Sequence, residues 1–177
     1  MTSKALLRRQ MRERRAATPA SEAENASHAL MHHAQRVLKN LPPSIIGGYV
    51  PSYGEINILP LLQQLADNGH LLALPRIDDA GVRMAFHQWQ IDDPLPMQHY
   101  GIAAPVASAP VVVPDLLLVP LLAFDTRGFR LGYGKGFYDT YLQDVSDFKP
   151  LTLGCAYDWQ QVQALPVEAH DIALDAI

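Results

Sequence analysis

The chain has a single cysteine among its 177 residues, Cys155, so an internal disulfide is excluded. It has no uninterrupted apolar stretch of the roughly 20 residues that a membrane-spanning helix requires. Its basic N-terminus is not followed by the apolar segment of a secretory signal. Charged residues make up only 18% and hydrophobic residues 49%, which describes a globular rather than a disordered chain. We therefore expect one soluble domain spanning residues 1–177, working in the cytoplasm without contact to a membrane.

Zinc and nucleic-acid chemistry have little support in this sequence. The seven histidines show no HExxH or Cys/His spacing, so no zinc site is predicted. The net charge is −4, yet six of the fourteen basic residues lie within the first fifteen positions. The rest of the chain is therefore clearly acidic, which argues against a general nucleic-acid surface and leaves room for a local anion-binding helix.

The most informative stretch covers residues 130–139, RLGYGKGFYD. Its alternating glycines let backbone N–H groups approach an anion, while Arg130 and Lys135 add positive charge. The residues from Phe137 onward predict a helix whose N-terminus favours anions, and Asp139 there would more naturally face a cation. The stretch is neither a P-loop, which needs GK followed by Ser or Thr, nor the GxGxxG dinucleotide fingerprint. The residues alone leave two alternatives, a phosphate cradle and a flexible strand-to-helix connection.

Apolar runs and turn residues predict alternating helices and strands. The predicted helices cover residues 3–11, capped by Ser3 or Thr2, residues 19–39, capped by Thr18, residues 56–68, closed by Gly69, and a segment opening at Phe137. The predicted strands cover residues 44–50, 71–75, 82–89, 111–124 and 151–157. This alternation predicts an α/β fold with three layers, a mostly parallel sheet with helices on both faces, Rossmann-like in architecture.

Polar residues follow several of the predicted strands, at the edge where open α/β sheets bind ligands. Glu55 lies in the loop after the first strand, where it could accept hydrogen bonds from a polar substrate or complement a helix dipole. Arg76 follows the second strand, where it could contact a phosphate or pair with Asp78 or Asp79.

Two basic residues of the predicted first helix are also candidates for phosphate binding. Lys4 and Arg8 lie one turn apart on the same face, so they could grip a polyphosphate together. The alternative is an exposed, solvated basic arm.

Four separated segments together resemble the 5-formyltetrahydrofolate cyclo-ligase family, also called 5,10-methenyltetrahydrofolate synthetases. They are residues 4–8 (KALLR), 53–56 (YGEI), 124–139 and 165–172 (LPVEAHDI). Their order and spacing cover essentially the whole chain. The resemblance implies ATP- and Mg²⁺-dependent cyclisation of 5-formyltetrahydrofolate to 5,10-methenyltetrahydrofolate, with release of ADP and phosphate after phosphorylation of the formyl oxygen. It implies no nucleic-acid partner, and we expect a monomer.

The resemblance also assigns roles to individual residues. The catalytic phosphate clamp would be Lys4, Arg8, Arg130 and Lys135. ATP would contact Lys4, Ala5, Leu6, Leu7, Arg8, Arg130, Leu131, Gly132, Tyr133, Gly134, Lys135, Gly136, Phe137 and Tyr138. The folate substrate would contact Val50, Glu55, Tyr133, Gly134, Lys135, Gly136 and Phe137. The magnesium ligands would be Asp139 and Asp171.

Some positions depart from the family pattern, and two other functions are compatible with the residues. Lys135 stands where many relatives have glycine. We therefore expect it to modulate the catalytic rate without being essential. Ala103 and Ala104 replace residues that are often proline and glutamate. The first alternative function is a non-catalytic nucleotide- or folate-binding module. The second is an ATP-independent relative of sugar-phosphate isomerases or CoA-transferases, which would need an acid/base pair or a glutamate nucleophile.

Overall fold

Eight strands and four helices make up the computed structural model, which describes residues 3–177. The strands are β1 (Ile45–Gly47), β2 (Leu71–Ile77), β3 (Met84–Trp89), β4 (Val111–Val112), β5 (Leu116–Pro120), β6 (Ala123–Phe124), β7 (Arg130–Leu131) and β8 (Leu151–Cys155). The helices are α1 (Lys4–Ala16), α2 (Ala20–Leu38), α3 (Leu59–Asp67) and α4 (Phe137–Asp144). Short 3₁₀ turns lie at His99–Gly101 and Asp158–Gln160.

Six of the strands form the central sheet, in the order β4-β3-β2-β1-β5-β8. Strand β1 pairs in parallel with both β2 and β5, and β5 pairs in parallel with β8. Strand β3 is antiparallel to β2, and β4 is antiparallel to β3. The prediction of a mostly parallel sheet is therefore confirmed, and the ends of β1, β2, β5 and β8 meet at one edge.

Alternate side chains of β5 enter two different cores, as a central strand covered on both faces requires. Leu116 and Leu118 pack in a cluster with residues of α2 and α3, whereas Leu117 and Val119 pack with residues of α4. All four side chains are at most 1% exposed, and each contributes on the order of 2 kcal/mol by burial. The three-layer prediction is confirmed. No helix within residues 3–177 is long and apolar enough to cross a membrane.

Helix α1 lies outside these layers and packs against the hairpin that β6 and β7 form. Met11 of α1 joins Leu122, Ala123 and Leu131 in a third buried cluster. This contact brings the basic side chains of α1 beside the glycine loop, which follows β7.

The apolar run 111–124, predicted as one strand, is divided among β4, β5 and β6. Pro114 interrupts it, and the Asp115 carboxylate accepts a hydrogen bond from the Ile45 backbone N–H at 2.7 Å. Beyond Pro120 the chain leaves the sheet, where the buried Gln160 amide donates to the carbonyls of residues 121 and 122 at 2.9 Å each. The single-strand prediction is wrong because prolines and local polar contacts end each segment.

Helix ends agree with the predictions in some places and differ in others. Ser3 caps α1 and accepts a hydrogen bond from the Leu6 N–H at 3.2 Å, while the alternative cap, Thr2, lies outside the described residues. Gly69 follows α3 with φ +88°, the left-handed conformation that the prediction required. The predicted Thr18 cap of α2 is wrong, because its hydroxyl donates backward to the Arg14 carbonyl at 3.3 Å.

Helix α3 begins at Leu59, three residues later than predicted. Pro60 occupies its first turn, where the missing N–H carries no penalty, and the Asn57 side chain accepts from the Leu59 N–H at 3.0 Å. Residues 56–58 are therefore loop, although Ile56 and Ile58 are buried.

Candidate functional site

A cleft of about 1030 Å³ lies at the carboxyl edge of the parallel strands. Its walls come from the loop after β1, the glycine loop with the first turn of α4, one face of α1, and the segment around residues 98–104. Most predicted site residues line it: Arg8, Val50, Glu55, Arg130, Leu131, Gly132, Tyr133, Gly134, Lys135, Gly136, Phe137, Tyr138, Asp139 and Asp171. Segments far apart in the sequence therefore meet in one cleft.

The glycine loop adopts a conformation that other residues would strain at two positions. Gly134 has φ +96°, and a Cβ there would lie 3.2 Å from Cζ of Arg8. Gly136 has φ +71° and caps α4. Arg8 crosses from α1 and donates from Nε to the Gly132 carbonyl at 2.9 Å. The loop thus brings a basic side chain to the N-terminus of a helix, as an anion site requires.

Arg130 and Asp139 form a largely buried ion pair beside this loop. Nη2 of Arg130 lies 2.9 Å from Oδ1 of Asp139, and the two side chains are 4% and 23% exposed. Arg130 also donates to the Ile172 carbonyl at 2.9 Å, and the Ile172 N–H donates to the same Asp139 oxygen at 3.2 Å. The C-terminal stretch is therefore bound to the start of α4.

Lys4 makes a second ion pair at the same wall. Its Nζ lies 2.7 Å from Oδ2 of Asp171 and 3.1 Å from Oε1 of Glu168. Burial opposes the charge of Lys4, but the hydrogen bonds with Asp171 and Glu168 outweigh it and raise the pKa of the ammonium group. Burial likewise opposes ionisation of Asp171, and its hydrogen bond with Lys4 prevails and lowers the pKa of the carboxyl. Lys4 does not itself line the cleft, so it reaches the site through Asp171.

The other predicted ATP contacts on α1 have side chains away from the cleft. Ala5 and Leu6 are exposed, and Leu7 packs against the cluster that contains Met11. Contact of these three residues with a nucleotide stays a prediction.

The two predicted magnesium ligands lie close together, since Asp171 precedes the residue whose N–H binds Asp139. Within residues 3–177, their side-chain hydrogen bonds use Oδ1 of Asp139 and Oδ2 of Asp171. One oxygen of each carboxylate is thus left for another ligand. No group of three or more His, Cys, Asp or Glu side chains suited to a metal exists in that part of the chain. The pair fits Mg²⁺, which is usually held by one or two carboxylates together with substrate phosphates.

Glu55, which also lines the cleft, is held by three hydrogen bonds. Oε1 accepts from the Tyr133 hydroxyl at 2.6 Å, while Oε2 accepts from the N–H and the hydroxyl of Ser52 at 2.9 and 3.2 Å. Burial and then the charge of Glu55 raise the pKa of Tyr133 well above its usual range, so this hydroxyl keeps its proton. The glycine loop and the loop after β1 are joined by this contact.

Arg12 and Arg15 also line the cleft, although the sequence reasoning did not select them. Their guanidinium carbons lie 5.6 and 5.2 Å from the centre of the Tyr133 ring. The signal was present in the sequence, because positions 4, 8, 12 and 15 are spaced by whole helical turns and share one face of α1.

The segment around Tyr100 is a further part of the cleft. Tyr100 lies beside the glycine loop, with Nζ of Lys135 5.0 Å from its ring centre. Its carbonyl accepts from the Tyr53 hydroxyl at 3.0 Å. Ala103 and Ala104 line the cleft too.

Arg76 takes the second of its two predicted roles. It pairs with Asp79 at 3.0 Å and donates to the Pro105 carbonyl at 3.1 Å, and it does not line the cleft.

Comparison with known proteins identifies the family of this chain. The whole chain, residues 1–177, matches the model of the 5-formyltetrahydrofolate cyclo-ligase family. The 5-formyltetrahydrofolate cyclo-ligase of Escherichia coli is 36% identical over 174 residues, which cover 93% of this chain and 92% of the relative. The 5-formyltetrahydrofolate cyclo-ligase of Haemophilus influenzae is 32% identical over 173 residues, covering 95% and 92%.

Solved structures share the fold. The NMR structure of Aquifex aeolicus 5,10-methenyltetrahydrofolate synthetase has a TM-score of 0.80 and 30% identity, covering 97% of this chain and 87% of that one. The Mycoplasma pneumoniae 5,10-methenyltetrahydrofolate synthetase also has a TM-score of 0.80 at 22% identity, covering 99% and 97%, and supports the fold. The chain therefore belongs to the 5-formyltetrahydrofolate cyclo-ligase family of enzymes.

Proposed function

We propose that this enzyme closes 5-formyltetrahydrofolate to 5,10-methenyltetrahydrofolate in an ATP- and Mg²⁺-dependent reaction that releases ADP and phosphate. The observation that carries the proposal is the single cleft in which Glu55, suited to a polar heterocycle, lies one hydrogen bond from the glycine loop, suited to a polyphosphate. Two substrates bound at these ends would meet in the middle of the cleft.

The chemistry explains why ATP is required. A formamide oxygen is a poor leaving group, so the formyl oxygen attacks the γ-phosphoryl group, the bond to the bridging oxygen breaks, and ADP departs. N10 then attacks the formyl carbon and loses its proton, and the former formyl oxygen leaves as part of phosphate. Such a transfer depends mainly on alignment and on neutralising charge, so no nucleophilic Ser, Cys or His is needed.

The phosphate end is built from cationic side chains and a helix N-terminus. Arg8, Arg130 and Lys135 line this part of the cleft, and α4 begins there behind Gly136. Their charges would stabilise the phosphoryl oxygens as the formyl oxygen attacks. Lys4 would support the same end by neutralising Asp171, with which it is paired.

Asp139 and Asp171 are the residues that would hold Mg²⁺ beside the phosphates. When bound, the ion supplies further neutralisation of phosphate charge. The pairing of Asp139 with Arg130 and of Asp171 with Lys4 keeps both carboxylates in place at the wall of the cleft.

The folate end is built around Glu55. Its carboxylate would accept hydrogen bonds from the N–H groups of the pteridine, and Val50 would provide an apolar contact beside it. Residues 133–137 line the same cleft and would touch both substrates.

We also propose that the enzyme is a cytoplasmic monomer without a nucleic-acid partner. Arg8 and Arg12 line the cleft, where their charges would serve a small substrate rather than a nucleic acid. Cys155 is a buried thiol, which suits a reducing compartment, and burial raises its pKa to about 12. Size-exclusion chromatography with light scattering tests the monomer.

The decisive assay mixes purified protein with 5-formyltetrahydrofolate and Mg-ATP and follows the absorbance of the methenyl product. We expect product only when ATP is present, and loss of turnover in Asp139→Ala and in Glu55→Ala. Asp144→Ala is the matched control, because Asp144 is an exposed carboxylate at the far end of α4. Product formed without ATP would overturn the proposal.

The same assay decides between the alternatives that the residues left open. Family membership argues against the activity of a sugar-phosphate isomerase or CoA-transferase. A protein that binds both substrates without turnover would be the non-catalytic module instead.

A further inference from the structure

A buried arginine joins the two ends of the cleft. Arg15, in the last turn of α1, is 2% exposed. Its Nε donates to the Tyr53 carbonyl at 2.8 Å, and its Nη2 donates to the Tyr133 hydroxyl. Its Nη1 is buried without a hydrogen-bond partner within residues 3–177.

The chemistry of these groups fixes the direction of the hydrogen bonds. A guanidinium group only donates, so the Tyr133 hydroxyl must accept from Arg15. The single proton of that hydroxyl is then directed at Oε1 of Glu55, 2.6 Å away. Ser52 holds the other carboxylate oxygen, so Glu55 is fixed at both oxygens.

The loop that carries Glu55 is also packed on this end of α1. Gly54 has φ +77°, and a Cβ there would lie 3.2 Å from the Arg15 carbonyl oxygen. The residue before it, Tyr53, has φ 50°, unusual for a non-glycine residue. The loop is therefore packed closely against the backbone of α1 at Arg15.

Packing alone accounts poorly for a charged side chain at this position. A buried cation is costly unless it is paired, and the polar contacts of Arg15 are a backbone carbonyl and a neutral hydroxyl. The carboxylate that balances its charge is Glu55, reached through Tyr133. A buried arginine with an unpartnered N–H beside a ligand cleft indicates a functional constraint.

We propose that Arg15 is a positioning residue of the folate end, which holds the Tyr133 hydroxyl as a donor to Glu55 and so fixes that carboxylate toward the substrate. This inference rests on the proposed function, because Glu55 must bind folate for its orientation to matter. Arg8 and Arg130 belong to the phosphate end. Their hydrogen bonds, to the Gly132 carbonyl and to Asp139, do not involve Arg15. Loss of Arg15 should therefore affect folate binding and spare ATP binding.

The test is Arg15→Met, which keeps the apolar stem and removes the donors. We expect the KM for 5-formyltetrahydrofolate to rise roughly tenfold, the effect of losing one charge-assisted hydrogen bond, and the KM for ATP to stay within about twofold. The matched control is Arg14→Met. Arg14 stacks over the Trp159 ring at 4.6 Å and does not line the cleft, so both KM values should be unchanged.

A double-substitution cycle separates positioning from simple loss of packing. If Arg15 acts through the Tyr133 hydroxyl, Arg15→Met combined with Tyr133→Phe should be no worse than the more impaired single variant. Arg15→Lys keeps the charge and one donor group, so its folate KM should lie between those of the parent and Arg15→Met. Should Arg15→Met fail to fold, Arg15→Lys replaces it in the cycle with Tyr133→Phe.

Two outcomes would overturn this inference and leave the proposed function intact. One is an active parent enzyme whose KM for folate is unchanged by Arg15→Met. The other is a double variant in which the separate effects of Arg15→Met and Tyr133→Phe on that KM multiply. Absence of turnover in the parent enzyme would instead overturn the proposed function, and this inference with it.

Discussion

At the scale of single residues, Asp125 holds the chain in place just before the glycine loop. Its side chain is fully buried and lies 2.6 Å from Nη2 of Arg127. It also accepts from the backbone N–H groups of Arg127 and Leu165, each at 3.0 Å. Burial opposes ionisation, but these hydrogen bonds outweigh it and lower the pKa of Asp125 below its ordinary value of 3.8. The ionised form therefore stabilises the fold.

A carboxyl whose pKa is lowered by folding contributes stability above its unfolded pKa, and the contribution is lost as the pH falls through the folded value. We expect Asp125→Asn to reduce the free energy of unfolding by about 2 kcal/mol at pH 7, and the deficit to shrink below about pH 3.8. Urea unfolding at several pH values measures this. Asp144→Asn, at an exposed carboxylate, serves as control. A loss of unfolding free energy in Asp125→Asn that does not change with pH would contradict the stabilising role of the ionised carboxylate.

The roles of single residues could be predicted from the sequence where those residues belong to a motif. The alternating glycines and the flanking Arg130 and Asp139 indicated an anion site, and these residues line the cleft. The pairing of Arg130 with Asp139 could not be read from the motif, because it depends on how the loop folds back on α4. Arg15 was missed because the first helix was predicted to end near Met11, so the basic face was not followed to position 15.

At the scale of elements, the kind of each helix and strand was more predictable than its ends. Strands were recognised by their apolar runs, but run 111–124 became three elements because Pro114 and the contacts of Asp115 and Gln160 interrupt it. Helix α1 was predicted to end near Met11 and continues to Ala16, which brings Arg15 to the cleft. The added residues 12–16 are strong helix formers, and Arg15 among them is buried.

The junction of α1 with the glycine loop leads to a prediction about two glycines. Gly134→Ala would force a side chain into the left-handed region and against Arg8, so we expect a loss of about 1–2 kcal/mol in unfolding free energy. Gly132→Ala is the matched control, since no atom lies within 4 Å of a Cβ there and its backbone is not left-handed. Urea denaturation compares the two, and equal losses would contradict the proposed strain.

At the scale of the whole molecule, the cleft is assembled from opposite ends of the chain. Lys4 and Asp171 are 167 positions apart and lie 2.7 Å from each other. Tyr133 and Glu55 are 78 positions apart and lie at 2.6 Å. Substrates that bind across such contacts should stabilise the folded chain as a unit.

Ligand binding should therefore raise the midpoint of thermal unfolding. We expect Mg-ATP or 5-formyltetrahydrofolate, each at about 100 times its Kd, to raise it by roughly 5–10 °C. Because Asp139 and Asp171 would hold the metal beside the phosphates, EDTA should abolish most of the shift due to ATP and spare the shift due to folate. Calorimetry measures both shifts. An ATP shift that survives EDTA would contradict the metal assignment.

The sequence by itself determined the alternation of strands and helices, the glycine loop before α4, and the residues that resemble a cyclo-ligase. Those features depend on local periodicity and on residue types within a few positions of one another. The tertiary structure alone decided that Lys4 neutralises Asp171, that Arg130 holds Asp139, and that Arg15 reaches Glu55 through Tyr133. Contacts between distant segments depend on how the buried faces of the sheet and helices pack, and no local pattern encodes that arrangement.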